Sequence, residues 1–170
     1  EEGKKIGMIL TATPSFRGRR IEAGLLSAGQ DFDKNTNPFS VGLGKFVDLE
    51  KENFIGKEAL IVAEKKCKTW GIRIKDGIAL KGDSLKINGE KVGKVTSSTW
   101  SPYQVCGVGI VHMYNHNLGP GTVIDVTCID GEIKTGELCK LPMYDSEGEI
   151  VRGVNKEIPL DPNPWKGLSK

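Results

Sequence analysis

The chain of 170 residues carries 24 Lys and Arg against 22 Asp and Glu, a net charge of +2, and 38% of it is apolar. A chain of this length buries about 70% of the surface its unfolded form exposes, so it needs neither disulfide nor metal for stability. The balanced charge, without a basic stripe, argues against nucleic acid as a partner. The apolar content argues against disorder, and the absence of an apolar run of about 20 residues against a transmembrane helix.

The opening Glu-Glu-Gly-Lys-Lys is not a signal peptide. Cys67, Cys106, Cys128 and Cys139 are far apart and form no CxxC pair. They read as reduced, mostly buried thiols of a cytoplasmic protein rather than a disulfide framework or a metal site.

Taken in chain order, residues 3–13 read as a helix end followed by a short strand, so the chain is expected to open inside structure. Pro14 and Ser15 suit a helix start. From Arg17 to Leu26 the apolar positions Ile21, Leu25 and Leu26 share one helical face, and Gly29 is the expected stop. Residues 30–38 are turn-forming, with Pro38 pushing Asn37 out of the helical region. Residues 43–49 alternate as a strand does. Residues 52–66 are expected to be a helix with Phe54, Ile55, Ala59, Leu60 and Val62 on its apolar side and Glu58 solvated.

After Lys66 the pattern changes to short β-branched runs: TWGIRIK, DSLKING, EKVGKVTSS, GVGIVHM, TVIDVTCID and EIKTGELCKL. Asn88-Gly89 and Asp130-Gly131 are hairpin turns, and Pro120-Gly121 is a further break. In TVIDVTC, Ile124, Val126 and Cys128 fall on one face and Asp125 and Thr127 on the other. Six such strands imply a small antiparallel barrel or sandwich. From Asp145 the chain is polar, with Pro159, Pro162 and Pro164, and reads as a tail pinned by Trp165.

Few residue patterns carry chemistry. His112 and His116 are spaced for a helical metal pair, but His112 ends a β-like run and His116 lies in a turn, so no metal site is expected. GxSxG, P-loop and GxGxxG are all absent. Gly107 and Gly109 suit close packing within a strand. Cys106 has no base nearby and reads as a packed thiol. SSTWSPY (97–103) reads either as a strand end with Trp100 in the core or as an aromatic wall beside a cleft. Arg20 directly precedes Ile21 and can face inward. Its guanidinium suits either a ligand carboxylate or an intrachain pair with Glu22, Asp31 or Asp33.

The stretch from Arg20 to Leu60, RIEAGLLSAGQDFDKNTNPFSVGLGKFVDLEKENFIGKEAL, closely resembles a segment of the aminomethyltransferase family, the T-protein of the glycine cleavage system and its relatives. GEKVGKVTSSTWSP (89–102) and GPGTVIDVTCIDGEIKTGELCKLPMYD (119–145) are similar to later segments of that family, in the same order. The resemblance implies an α+β remnant of the folate-binding region over 1–62, an all-β C-terminal antiparallel barrel over 63–143 and a polar tail over 144–170. It implies transfer of a one-carbon unit, aminomethyl or methyl, from a small-molecule donor to tetrahydrofolate. The catalytic aspartate of the family lies in an N-terminal portion that has no counterpart here. That portion is an implied partner, the chain by itself is expected to be inactive, and a true T-protein would add a carrier protein.

By position, Arg20 matches the family arginine that lies against folate and Glu22 the glutamate of the same motif; both are candidate folate-binding residues, and for Glu22 a structural pair is the preferred role. Trp100 is the candidate for closing one side of the folate site. Ala28 stands where the family often has tyrosine, which removes a stacking surface. Residues 24–39 and 41–49 look nearer to the branch that includes dimethylsulfoniopropionate demethylase. Two alternatives share the fold: a non-catalytic folate-binding or regulatory module, and the end of a flavoprotein that demethylates amines and passes the carbon to folate.

Overall fold

Six short strands close into an antiparallel barrel in the computed structural model, which describes residues 1–8, 13–115, 117–143, 145–149 and 152–156. They are β1 (Thr69–Ile74), β2 (Ser84–Ile87), β3 (Glu90–Ser101), β4 (Cys106–Met113), β5 (Val123–Thr127) and β6 (Ile133–Cys139). Around the barrel the order is β1-β4-β3-β2-β5-β6, with β6 returning to β1. All six strand segments expected from the sequence are therefore present, and the barrel rather than the sandwich is realised. The β2–β3 hairpin turns on Asn88 and Gly89, whose φ values of 51° and 83° make the two-residue turn that matches strand twist. The β5–β6 hairpin closes over residues 128–132, where the Cys128 N–H donates to the Glu132 carbonyl at 2.8 Å.

The alternation read in β5 holds: Ile124 and Val126 are buried while Val123 and Asp125 are exposed. With Ile72, Leu85, Val111, Met113 and Leu138 they fill the barrel. A second core lies outside it, where Ile21, Val108, Ile110 and Met143 pack together with Leu26 and Leu141 against them. This explains why CGVGIVHM is an almost unbroken apolar run. β4 is covered on both faces, by the barrel interior on one and by helix α2 (Thr13–Glu22) with residues 141–143 on the other. Gly107 and Gly109 face the barrel interior, paired with Ile74 and Ile72. A Cβ at Gly109 would meet the Ser97 carbonyl at 2.8 Å, so the close packing expected of these glycines is real.

Before the barrel the structure departs from several sequence expectations. Helix α1 (Glu2–Lys5) covers the expected helix end, while residues 9–12 of the expected strand lie outside the described residues. Helix α2 ends at Glu22, not near Gly29. Gly24, with φ +70°, stops it: the Gly24 N–H donates to the Ile21 carbonyl at 3.0 Å and the Leu25 N–H to the Arg20 carbonyl at 2.8 Å. Leu25 is therefore off the helix and 59% exposed, while Ile21 alone of the pair is fully buried.

Residues 43–49 hold a 3-10 turn (Gly44–Phe46) instead of a strand. A strand needs a partner edge, and a closed barrel offers none. The helix expected over 52–66 shrinks to α3 (Lys57–Val62). Gly56, at φ +88°, delays its start and Ala63 turns extended after it, and none of its residues is buried. Ile55 and Val62, read as its apolar side, are exposed. Among the described residues no helix is long and apolar enough to cross a membrane. Trp165, Pro159, Pro162 and Pro164 lie outside the described residues.

Candidate functional site

Helix α2 runs across the C-terminal half of β3 and attaches to it at two places. At the first, Arg20 reaches down from the last turn. Its Nη1 donates to Asp31 Oδ2 at 2.8 Å and to the Leu25 carbonyl at 3.1 Å, and its Nη2 donates to Ser97 Oγ at 2.8 Å. Of the three intrachain partners weighed for Arg20, the structure thus selects Asp31. The guanidinium has five N–H donors, so two remain beyond these three bonds.

Asp31 is held more tightly still. Oδ2 also accepts the Ser27 N–H at 2.9 Å, and Oδ1 accepts the Thr96 and Ser97 hydroxyls, each at 2.6 Å. Its side chain is fully buried and that of Arg20 is 12% exposed. Two adjacent residues of one strand ordinarily point to opposite faces. Here the β3–β4 register shifts between Val95 and Ser97, a β-bulge at Thr96 that aims both hydroxyls at one carboxylate. Burial pushes the Asp31 carboxyl up, but the hydrogen bonds from Ser97, Thr96, Ser27 and Arg20 outweigh it and hold its pKa below 3.8.

The second attachment is at Glu22, 1% exposed. It accepts a hydrogen bond from Ser101 Oγ and pairs with Arg19 Nη1 at 3.2 Å. Ser101 Oγ in turn accepts the Gln104 N–H at 2.8 Å, and Gln104 Oε1 accepts Arg73 Nε at 2.8 Å. Arg73 Nη2 donates to the Met143 carbonyl, and the Met143 N–H returns to the Glu22 carbonyl at 2.7 Å. This closed chain of polar contacts ties α2, β1, β3 and residues 141–143 together. Glu22 has the structural partners its motif suggested.

Trp100 lies on β3 between the two attachments, its carbonyl 3.7 Å from where a Cβ on Gly18 would sit. It is 37% exposed and so is not a core residue. Arg20 and Glu22 are thus brought to one seam between α2 and β3. Trp100 meets that seam through its carbonyl, while its pairing with Gly107 puts the Trp100 side chain on the other face of β3 from Ser97 and Ser101. Asp31, Thr96 and Gln104 join the seam without having been singled out as site residues. The bulge that recruits Thr96 leaves no mark in the sequence.

Two cavities adjoin this seam. A cleft of about 480 Å³ is lined by apolar groups, Leu25, Leu43, Phe46 and Trp70 among them, with Lys45 and Lys140 also in its wall. A smaller cavity of about 190 Å³ lies between the 29–36 turn and the outer face of the barrel, where Lys94, Thr96 and His112 form the barrel wall. Arg20, Glu22 and Trp100 line neither.

The remaining candidates resolve simply. His112 sits on β4, hydrogen-bonded through Nδ1 to Thr69 Oγ1 at 3.1 Å, and His116 lies outside the described residues. Among the described residues no cluster of three or more His, Cys, Asp or Glu could hold a metal. The four cysteines are free thiols. Burial pushes the Cys106 thiol up to about 12 and that of Cys139 to about 11, and raises those of Cys67 and Cys128. The thiolate is the reactive form, so at pH 8 the native chain should react with a thiol reagent far more slowly than the unfolded chain. A burst of one or more thiols in native buffer, at the unfolded rate, would contradict this placement.

Residues 68–145 match the glycine cleavage T-protein C-terminal barrel domain. The chain is 35% identical over 146 residues to the aminomethyltransferase of Halothermothrix orenii, covering 84% of this chain and 41% of that protein. It is 36% identical over 138 residues to that of Thermotoga sp. strain RQ2, covering 79% and 37%. Its fold is similar to the crystal structure of glycine cleavage system aminomethyltransferase T from Bartonella henselae, with a TM-score of 0.65 and 25% identity over 76% of this chain and 38% of that one. The chain thus spans about two fifths of the length of these relatives.

Proposed function

From the premise that this chain belongs to the aminomethyltransferase family, as the C-terminal portion of such a protein, we propose that it forms part of a transferase that moves a one-carbon unit from a small-molecule donor to tetrahydrofolate. The observation that supports this reading is the pinning of Arg20 and Glu22 at the end of α2, directly before residues 23–26, which form part of the wall of a cleft of about 480 Å³. That volume falls within the roughly 300–1,000 Å³ typical of small-molecule sites. Its wall offers the aromatic rings of Trp70 and Phe46 to a flat ring system and the ammonium groups of Lys45 and Lys140 to an anion.

Tetrahydrofolate, when bound, supplies the nitrogen that accepts the one-carbon unit. This chain's part is to bind and orient. Arg20 is fixed by Asp31 and Ser97, so the guanidinium is ordered before any ligand arrives. Glu22 holds α2 on the barrel and keeps that arginine in register. No catalytic group is assigned to this chain. A carrier protein that delivers the donor and the remainder of a longer polypeptide belong to the same reading.

The test is calorimetric titration of the chain with tetrahydrofolate. Arg20→Ala should weaken binding by roughly tenfold to a hundredfold, the worth of a charged hydrogen bond. Arg152→Ala, at an exposed turn, should leave it unchanged. Arg20→Lys, with folding checked by circular dichroism, guards against simple unfolding. Equal dissociation constants for the Ala variants at 20 and 152, or no binding to the wild-type chain, would refute the assignment.

A further inference from the structure

The cleft of about 480 Å³ draws its walls from distant parts of the chain, among them residues 23–26, which follow α2, and residues 140–142, which follow β6. These two walls are clamped together at one point. The Met143 N–H donates to the Glu22 carbonyl at 2.7 Å, so the residue after one wall is tied to the residue before the other. A Cβ on Gly24 would stand 2.8 Å from Leu141 Cβ, so the walls also touch beside the clamp. Movement of either Glu22 or Met143 therefore changes the shape of the cleft.

Gln104 reaches both ends of this clamp. It lies outside the cleft, fully buried in the turn between β3 and β4. Its N–H donates to Ser101 Oγ at 2.8 Å, and that hydroxyl donates to the Glu22 carboxylate. Its Oε1 accepts Arg73 Nε at 2.8 Å, and Arg73 Nη2 donates to the Met143 carbonyl. Its Nε2 donates to Met143 Sδ at 3.7 Å. The turn that carries it is strained. Val105 has φ of +52°, a left-handed conformation that β-branched residues rarely adopt, and its side chain is exposed rather than packed. Such a conformation persists only where the surroundings over-determine it, and the hydrogen bonds of Gln104 supply that restraint.

We propose that Gln104 is a positioning residue for the cleft: it fixes the spacing of the 23–26 and 140–142 walls, and through that spacing sets the affinity of the cleft for the folate ligand. The inference rests on the folate reading above. Gln104 touches no ligand. Its effect is to order the walls before binding, which lowers the cost of ordering them when the ligand arrives.

The experiment compares Gln104→Met, which keeps the length of the side chain and removes the acceptor of Arg73, with Gln104→Glu, which keeps an acceptor oxygen. Each is read twice, by amide hydrogen exchange at Met143 and by calorimetric titration with tetrahydrofolate. Gln104→Met should speed exchange at Met143 and weaken tetrahydrofolate, each by roughly tenfold. Gln104→Glu should bring both back to within roughly threefold of wild type. A merely structural role would lower the denaturation midpoint and leave the dissociation constant of the folded chain unchanged, and that result overturns the inference while the folate reading stands. Unchanged exchange at Met143 overturns it as well. If Gln104→Met does not fold, Ser101→Ala cuts the same contacts on the Glu22 side and carries the same expectations. No binding of tetrahydrofolate to the wild-type chain refutes the folate reading, and the exchange at Met143 then decides by itself whether Gln104 holds the walls.

Discussion

Replacing Asp31 by Ala should destabilise the chain by about 3–5 kcal/mol, the usual cost of removing one member of a buried ion pair. The loss has two parts. Arg20, 12% exposed, keeps its charge but loses its counter-ion. The Thr96 and Ser97 hydroxyls and the Ser27 N–H lose their acceptor, and buried unsatisfied donors cost about 1–3 kcal/mol each before relaxation. Asp31→Asn keeps an acceptor oxygen but not the charge, and should fall between. Chemical denaturation of the three proteins measures the series, and an Asp31→Ala midpoint within error of wild type would refute the network.

The same residue sets a pH dependence. In the folded chain its pKa lies below the ordinary 3.8. The unfolded state therefore takes up the proton first as pH falls. The stabilisation from Asp31 is fully present above about pH 5 and is lost as the pH drops below about 4 toward the folded pKa. Wild type should lose stability more steeply in this window than Asp31→Ala. Parallel curves would mean that the carboxylate is not preferentially ionised in the folded state.

Gly107→Ala is the second substitution with a large expected effect. Gly107 lies in β4 facing the barrel interior beside Ile74. A Cβ there would stand 1.7 Å from the carbonyl oxygen of Gly77, a backbone atom that no rotamer change can move aside. Overpacking ordinarily costs about 1–3 kcal/mol. Here either β4 or the 75–79 connection must shift, so the loss should exceed about 3 kcal/mol. Gly119→Ala is the control. Its added carbon would meet Trp70 at 3.7 Å, an ordinary contact, and its effect should stay within about 1 kcal/mol. Equal denaturation midpoints for the two variants would contradict the close approach.

The sequence by itself determined the six strands and their turns; it left barrel or sandwich open, and the family resemblance pointed to the barrel that the structure closes. Strand segments are short, their alternation is local, and turns such as Asn88-Gly89 demand backbone angles that few residues adopt. Those signals act over two to eight residues, and they survive folding because each strand buries one face whatever its neighbours are. The exception, β4, is informative: its apolar run records burial on two faces, which points to a covering element without saying which. The resemblance around Arg20 and Glu22 likewise marked a candidate site, and the structure holds both residues between α2 and β3.

Tertiary structure decided the rest. The segments 43–49 and 52–66 carry plausible local patterns, but one finds no free strand edge and the other no surface to pack on. The end of α2 fell to Gly24 rather than Gly29 because Gly24, at φ +70°, lies against Leu141 and Leu26 packs on the second core. The partner of Arg20 was open among three carboxylates until Asp31 met Thr96 and Ser97. That meeting depends on one extra residue in β3, a shift of register between strands. Register is a relation between chain segments distant in sequence, so no local pattern encodes it, and the centre of this site is built on it.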